Sequence, residues 1–201
     1  DDEGNYIIKD DGTRAVSETT KNLGKVAPDW TMGISNTLRY RNLSLSFLID
    51  VRYGGVMYSG TVSDLRVNGM AEETIGKNRT DIVDKGVKQD GTENTTAITP
   101  YQFWSNNYSS KVSEANVFDA TFVKLREMVL SYQMPQRWFK NCFIGSLALG
   151  VEGRNLWLMK SNVPHIDPET NIFGPSAVGS GVEYSAIPTT RSWGFNIKLT
   201  F

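Results

Sequence analysis

Cysteine and histidine are nearly absent: the 201 residues hold one of each, Cys142 and His165. A lone cysteine forms no internal disulfide, and a single histidine without cysteine partners offers no ligand set at zinc spacing. No metal site and no cofactor are therefore expected. Charge of one sign is lacking as well, since 21 Lys and Arg stand against 22 Asp and Glu for a formal charge of -1. With no whole-chain field to draw polyanions, a nucleic-acid partner is not expected. Long apolar runs are also missing, for nothing approaches the roughly 20 consecutive apolar residues of a spanning helix, and mean hydropathy is negative. That excludes helical insertion only. A membrane barrel alternates lipid-facing and lumen-facing side chains, so its average hydropathy resembles that of a soluble protein. The opening Asp1-Asp2-Glu3-Gly4-Asn5 has no basic region, apolar stretch or cleavage site, so either the chain is cytosolic or its beginning lies outside this sequence.

What the chain does have is alternation. Arg191 to Phe201 places Trp193, Phe195, Ile197, Leu199 and Phe201 on one face and Ser192, Gly194, Asn196, Lys198 and Thr200 on the other, the period of two that marks a strand with one apolar side. Asn42 to Tyr53 repeats the pattern with only Leu48 out of place. Phe143 to Gly153 and Met32 to Tyr40 supply two further strands. Thr121 to Gln133 is less regular, because Lys124 and Arg126 share a face with Met128, Leu130 and Tyr132. That is the expectation for a strand whose upper half rises out of an apolar band.

These predicted strands run about 10 to 13 residues, twice the usual soluble strand and enough to cross a bilayer at a tilt. Short and long links alternate: Tyr40 to Asn42 and Met134 to Asn141 are short, while Asp10 to Thr31, Gly54 to Ala120 and Leu156 to Thr190 are long. Outer-membrane barrels place short turns on the periplasmic side and long loops outside. Aromatics gather at strand ends, at Tyr40, Tyr53, Tyr132, Trp138, Trp157, Trp193 and Phe201, as in interfacial girdles. Five long strands, with a partial strand near Tyr6 to Lys9, fall short of the roughly eight of the smallest closed barrel. Open edges are not viable in lipid, so the chain reads as the C-terminal piece of something larger, ending on the aromatic Phe201.

Ordered motifs sharpen this all-β reading. Pro28-Asp29-Trp30-Thr31-Met32-Gly33 before an alternating strand, and Asp50-Val51-Arg52-Tyr53-Gly54-Gly55 after one, resemble landmarks of SusC/RagA-type TonB-dependent transporters. So do Asp119-Ala120-Thr121-Phe122-Val123-Lys124-Leu125-Arg126-Glu127 with Leu130-Ser131-Tyr132 and Pro135. Gly153-Arg154-Asn155-Leu156, Asp167-Pro168-Glu169, Pro188 with Thr190-Arg191-Ser192, and the terminal Phe201 follow in the family's order. The resemblance spans nearly the whole chain. It implies antiparallel transmembrane strands of a barrel of roughly 22, embedded in outer-membrane lipid and plugged by an N-terminal domain. It further implies a SusD-like lipoprotein on the extracellular face, and import of glycans or peptides driven through TonB without bonds made or broken. The plug and the TonB-contacting box are absent from this sequence.

Candidate residues follow. Asp50, Arg52, Glu152 and Arg154 are expected to line the lumen wall. Tyr101, Phe103, Trp104 and Tyr108, in the longest loop, could stack on sugar rings or a capping partner, or anchor the loop on itself. Asp167 and Glu169 could contact substrate or partner; a glycosidase pair is less expected than a loop-fixing role for neighbours around a proline. Asp81, Asp84, Asp90 and Glu93 lack calcium-loop spacing and read as a solvated acidic loop. Ala71 to Lys85 could form a short helix packing Ile75, Ile82 and Val83 inward, weakened by Gly76. The sequons at Asn42, Asn78, Asn94 and Asn107 are discounted for a bacterial protein, and His165 is read as a plain loop residue. Two other classes remain open: a passive porin or adhesin barrel lacking a plug, and a soluble β-rich carbohydrate-binding module or hydrolase whose apolar faces pack dry against a second sheet.

Overall fold

Alternation at period two yields five long strands, β1 (Trp30–Tyr40), β2 (Leu43–Tyr53), β3 (Phe122–Gln133), β4 (Ser146–Ser161) and β5 (Ser192–Thr200). The computed structural model describes residues 1, 3–76, 80–140, 143–172 and 180–201. The five strands form one sheet in the order β5-β4-β3-β2-β1, each antiparallel to the strand before it in the chain. Cross-strand partners carry the apolar set from strand to strand, as in Ile34 with Ile49, Leu45 with Leu130, Val151 with Phe195 and Leu149 with Ile197. Ser44, Ser46, Asp50, Glu152, Asn196 and Lys198 stand on the opposite side by the same alternation.

Nothing among the described residues covers the apolar side. Leu38 is 56% exposed, Ile197 68% and Phe195 85%. The buried hydrophobic residues lie in the connections instead: Ile8, Met57, Val62, Ile98, Trp104 and Val163 are buried, and only Phe122 and Leu156 come from the five strands. A dry two-sheet sandwich would bury those strand faces, so the sheet lacks the packing that the soluble alternative requires. Aromatics bracket the bare face. Trp30 stacks on Tyr53 at 5.2 Å, with Trp157 and Trp193 exposed at the same end, while Tyr40, Tyr132 and Phe201 are exposed at the other. From Trp30 to Tyr40 is about 33 Å along a strand, or about 25 Å of height at a barrel tilt near 40°, the height of a lipid-facing band.

The strand β3 changes face in mid-course. Leu48 pairs with Glu127 but the next residue, Ile49, pairs with Leu125, leaving Arg126 as an extra residue in β3. A bulge of this kind flips every side chain beyond it. Lys124 therefore sits opposite Asp50 and Phe122 opposite Arg52 on the polar side, while Leu125 and Val123 take the apolar side. The irregular pattern of Thr121 to Gln133 thus comes from a bulge, not from an upper half of the strand rising out of the band. Across the other edge of β3, β4 compensates with its own irregularity between Arg154 and Trp157, where Asn155 adopts φ 51°.

The long connections are folded. The helix α1 (Gly60–Val67) is capped by Ser59, which accepts from the Val62 amide at 3.1 Å. The helix α2 (Pro100–Asn107) carries a capping box of Thr99 and Gln102 with proline in its first turn. Val182–Glu183, Val56–Ser59 and Val117–Asp119 make a three-stranded sheet. Together these pieces form a cap at the long-link end of the wall.

Several expectations are corrected by this arrangement. Ile7–Ile8 pairs in parallel with Val87–Lys88, so the predicted partial strand at Tyr6 to Lys9 belongs to the cap and not to the wall. The described residues of Ala71 to Lys85 form no α-helix: they hold a 3-10 turn, Glu72–Thr74, and a two-residue strand, Ile82–Val83. Gly76 at φ +76° turns the chain out of helical geometry, and Ile75 is 75% exposed rather than packed inward. Residues 77–79 of that stretch, with the Asn78 sequon, lie outside the described residues, as does Cys142. The last long link begins after Ser161, because β4 runs on past Gly153. Asp84 is buried rather than solvated: the Arg14 guanidinium grips it at 2.6 and 2.9 Å and Asn107 donates to it at 3.1 Å. Asn94 and Asn107 are themselves buried, which leaves no room for glycans.

Candidate functional site

The polar side of the sheet and the cap meet at a cluster of ions. Because the Arg126 bulge turns Lys124 and Arg126 inward, both reach the link after β4. Lys124 Nζ donates to Glu169 Oε2 at 2.6 Å, to Thr189 Oγ1 at 2.8 Å and to Asp167 Oδ2 at 3.3 Å. Arg126 donates to Glu169 at 2.6 and 2.8 Å, to Asn155 Oδ1 at 3.2 Å and to Asp50. Thr189 donates to Asp167 through its hydroxyl and its amide. Two cations from β3 thus meet three carboxylates, two of them on the link spanning 162–191.

The surroundings set the charge state. Burial alone would push the Asp167 carboxyl up; the Thr189 hydroxyl, the Glu169 amide and Lys124 outweigh it and hold the group below the usual range. Burial opposes ionisation of Glu169 in the same way and is overcome by Arg126 and Lys124. Both are carboxylates at neutral pH, each already gripped by cations. The evident capacity of the cluster is electrostatic: it clamps the link to the wall.

The other predicted wall residues stand on the same polar side. Glu152 and Arg154 approach each other at 3.9 Å, and Arg154 lies 3.9 Å from Glu127. Arg52 turns to the segment before β1, donating from Nη2 to the Val26 carbonyl at 2.9 Å. Its Nε is buried and has no hydrogen-bond partner among the described residues. It floors a cleft of about 270 Å³ bordered by Pro28, Met57 and Glu169.

The loop aromatics mostly hold the cap together. Phe103 meets Trp104 edge-on at 5.1 Å, and Trp104 lies 4.8 Å from Tyr108. The Arg14 guanidinium sits 3.7 Å from the Tyr6 ring centroid and 5.7 Å from that of Tyr108, and the Arg66 guanidinium lies 5.2 Å from the Tyr108 centroid. Trp104 is buried, whereas Tyr101 is 69% exposed and is the member left open to a ligand. His165 is more than a plain loop residue: its Nε2 lies 2.7 Å from Glu73, which Arg66 also grips at 2.6 Å. Glu183, unremarked in the sequence, is a buried carboxylate that accepts from Ser59 at 2.5 Å, Thr61 at 2.6 Å and the Ala186 amide at 3.2 Å. The roles of Lys124 and Arg126 were also hidden. Their one outward sign was a pair of cations at alternate positions of an apolar face. Among the described residues no three His, Cys, Asp or Glu side chains converge as metal ligands, and no helix is long and apolar enough to cross a membrane.

Comparison with known proteins places this architecture. No protein-family model matches the chain. The chain is 25% identical to TonB-dependent receptor P3 of Formosa agariphila over 206 residues, covering all of this chain and 19% of that receptor. It is 26% identical to TonB-dependent receptor P26 of the same organism over 182 residues, 89% of this chain and 18% of the receptor. The RagAB peptide importer in its open-open state superposes with a TM-score of 0.63 at 20% identity, over 98% of this chain and 20% of the importer chain. The closed-closed state gives 0.62 at 19% identity over the full chain and 22% of its counterpart. This chain therefore spans about a fifth of the relatives it matches. Those relatives are named as receptors and importers, not as enzymes.

Proposed function

We propose that this chain, a barrel segment of the SusC/RagA type of TonB-dependent receptor, supplies wall and outer loops to an outer-membrane importer of oligosaccharides or peptides. The single observation that carries the reading is a meander of membrane-length strands with one uncovered apolar face, since only a closed barrel satisfies strand backbones in lipid. In this reading the apolar face meets lipid, Asp50, Arg52, Glu152 and Arg154 line a wet lumen, and the cap of loops faces the cell exterior. A SusD-like surface lipoprotein closes over that cap, and TonB acts through the part of the protein that precedes this segment.

Each feature has its physical use. The lumen wall offers charges and hydroxyls that exchange hydrogen bonds with a polar solute without trapping it, because Asp50, Glu152 and Arg154 already stand within reach of opposite charges. The ion cluster of Lys124, Arg126, Asp50, Asp167 and Glu169 fastens a loop across the wall, so its position changes as a unit when the cap moves. Exposed Tyr101 presents an aromatic face suited to a sugar ring or to the lipoprotein.

The test uses the full-length protein in its own outer membrane. Uptake of labelled oligopeptides and oligosaccharides is measured with TonB present and deleted. Uptake that requires TonB and the neighbouring lipoprotein supports the reading; uptake that persists without TonB supports a passive porin instead. A full-length protein that folds as a water-soluble monomer without detergent would overturn the membrane assignment altogether.

A further inference from the structure

Acidic side chains are missing from one end of the wall. The stretches 36–48, 130–149 and 195–201, which meet at the short turns, contain Arg39, Arg41, Arg137, Lys140 and Lys198 and no Asp or Glu. At the chain's average content, about four acidic residues would be expected in stretches of that combined length. Arg39 and Lys198 alternate onto the polar side of the sheet. Arg41, Arg137 and Lys140 occupy the turns themselves, and none of the three forms an ion pair among the described residues. Arg41 is held at φ 52° in the two-residue turn with its guanidinium 5.3 Å from the Tyr40 ring centroid. Trp138 is 62% exposed between the other two cations, and Phe143 stacks on Phe201 at 5.8 Å.

An apolar groove begins at the same edge. It encloses about 520 Å³ on the uncovered face and is lined by Leu43, Leu130, Tyr132, Leu149, Phe195 and Ile197. Leu43 lies two residues from Arg41 and pairs across the sheet with Tyr132, so the groove opens beside the basic turns. Unpaired cations at an aromatic edge, next to a long apolar furrow, match one kind of partner: a phosphate carried on an alkyl chain.

We propose that this rim binds an anionic phospholipid, with Arg41, Arg137 and Lys140 holding the headgroup phosphate and the groove receiving an acyl chain. The inference rests on the membrane-wall reading above, under which the short turns face the periplasmic leaflet. A peptide partner fits less well, since a groove lined almost wholly by apolar side chains leaves backbone amides without partners.

The experiment titrates the detergent-purified full-length protein with phosphatidylglycerol, phosphatidylcholine or lipid A and counts retained lipid by native mass spectrometry. Phosphatidylglycerol should be held at least about fivefold more tightly than phosphatidylcholine, and added salt should erase the difference. In the triple variant R41Q/R137Q/K140Q, checked for folding by faster migration of unheated samples on gels, the preference should vanish. Equal retention of the two phospholipids by the folded wild type overturns the proposal, whatever the variant does. So does a folded triple variant that keeps the preference, or lipid A binding at equal strength, which would mark the rim as a general phosphate trap. Failure of the wild type to give a detergent-dependent folded species would instead remove the wall reading, and this inference with it.

Discussion

Ile197 and Asn196 are chain neighbours on opposite sides of β5, and replacing each with arginine separates a lipid-facing wall from a soluble sheet. Ile197 lies four residues from Trp193 and four from Phe201, about 13 Å along the strand from each, which places it at mid-height of the apolar band. It is 68% exposed. In water, a charge at so exposed a position costs no more than about 0.5 kcal/mol. At a bilayer midplane, arginine on the lipid face of a barrel costs about 2–4 kcal/mol, a change of about 30- to 700-fold in the unfolding equilibrium. Asn196, at the same height on the polar side opposite Gly150, should tolerate arginine at a cost below about 1 kcal/mol. The assay is denaturant unfolding of the full-length protein in phospholipid vesicles, followed by the gel shift between folded and unfolded forms. Equal costs for Ile197→Arg and Asn196→Arg, or a cost for Ile197→Arg within about 0.5 kcal/mol of zero, would refute the assignment of this face to lipid.

Three further outcomes follow from the cap and its clamp. Lys124→Met removes a buried cation from Asp167 and Glu169 but leaves them Thr189 and Arg126, so it should cost about 2–3 kcal/mol, below the 3–5 of a charge stripped of its only partner; hydrogen exchange at the Glu169 and Thr189 amides should quicken by roughly 30- to 150-fold. Burial would raise the Glu73 carboxyl, yet bonds from Arg66, its own backbone and His165 bring it down from 4.5 to about 2. A depressed folded value means stability fully present above the unfolded value and lost as pH falls through about 2, so Glu73→Gln should loosen the cap at pH 7, by protease susceptibility, and match the wild type near pH 2. Gly55 sits at φ +81°, and a Cβ there would come within 2.7 Å of the Val26 carbonyl oxygen. Gly55→Ala should therefore cost about 1–3 kcal/mol and lower the folded fraction on unheated gels, whereas Gly91→Ala, at φ +82° with open space around it, should cost less.

Much of the wall was legible along the chain. The five strands lie within a few residues of their predicted positions except at the end of β4, because one-sided burial imposes a period of two on residues that are neighbours in sequence. The Gly54-Gly55 landmark has its reason too: both glycines adopt left-handed φ, and Gly55 abuts the backbone of Val26 and Ala27. Asp50 and Glu169 were singled out, but the cations joining them were not, since Lys124 and Arg126 read as misplaced until the bulge turned them. Of the four loop aromatics, composition could not tell the buried Trp104 from the exposed Tyr101.

Local alternation by itself determined that this chain makes long strands with one apolar side, and the rhythm of short and long links determined how they follow one another, because both depend on contacts between chain neighbours. Tertiary structure alone decided what depends on residues far apart. One extra residue at Arg126 reverses the face of β3 above it, and Lys124 then finds Glu169, 45 residues away. Ile7–Ile8 joins Val87–Lys88 in the cap, and Glu183 is buried against Ser59 from 124 residues away. Such partners are selected by register and by the need to pair buried charge, and neither is written in the period of any single strand.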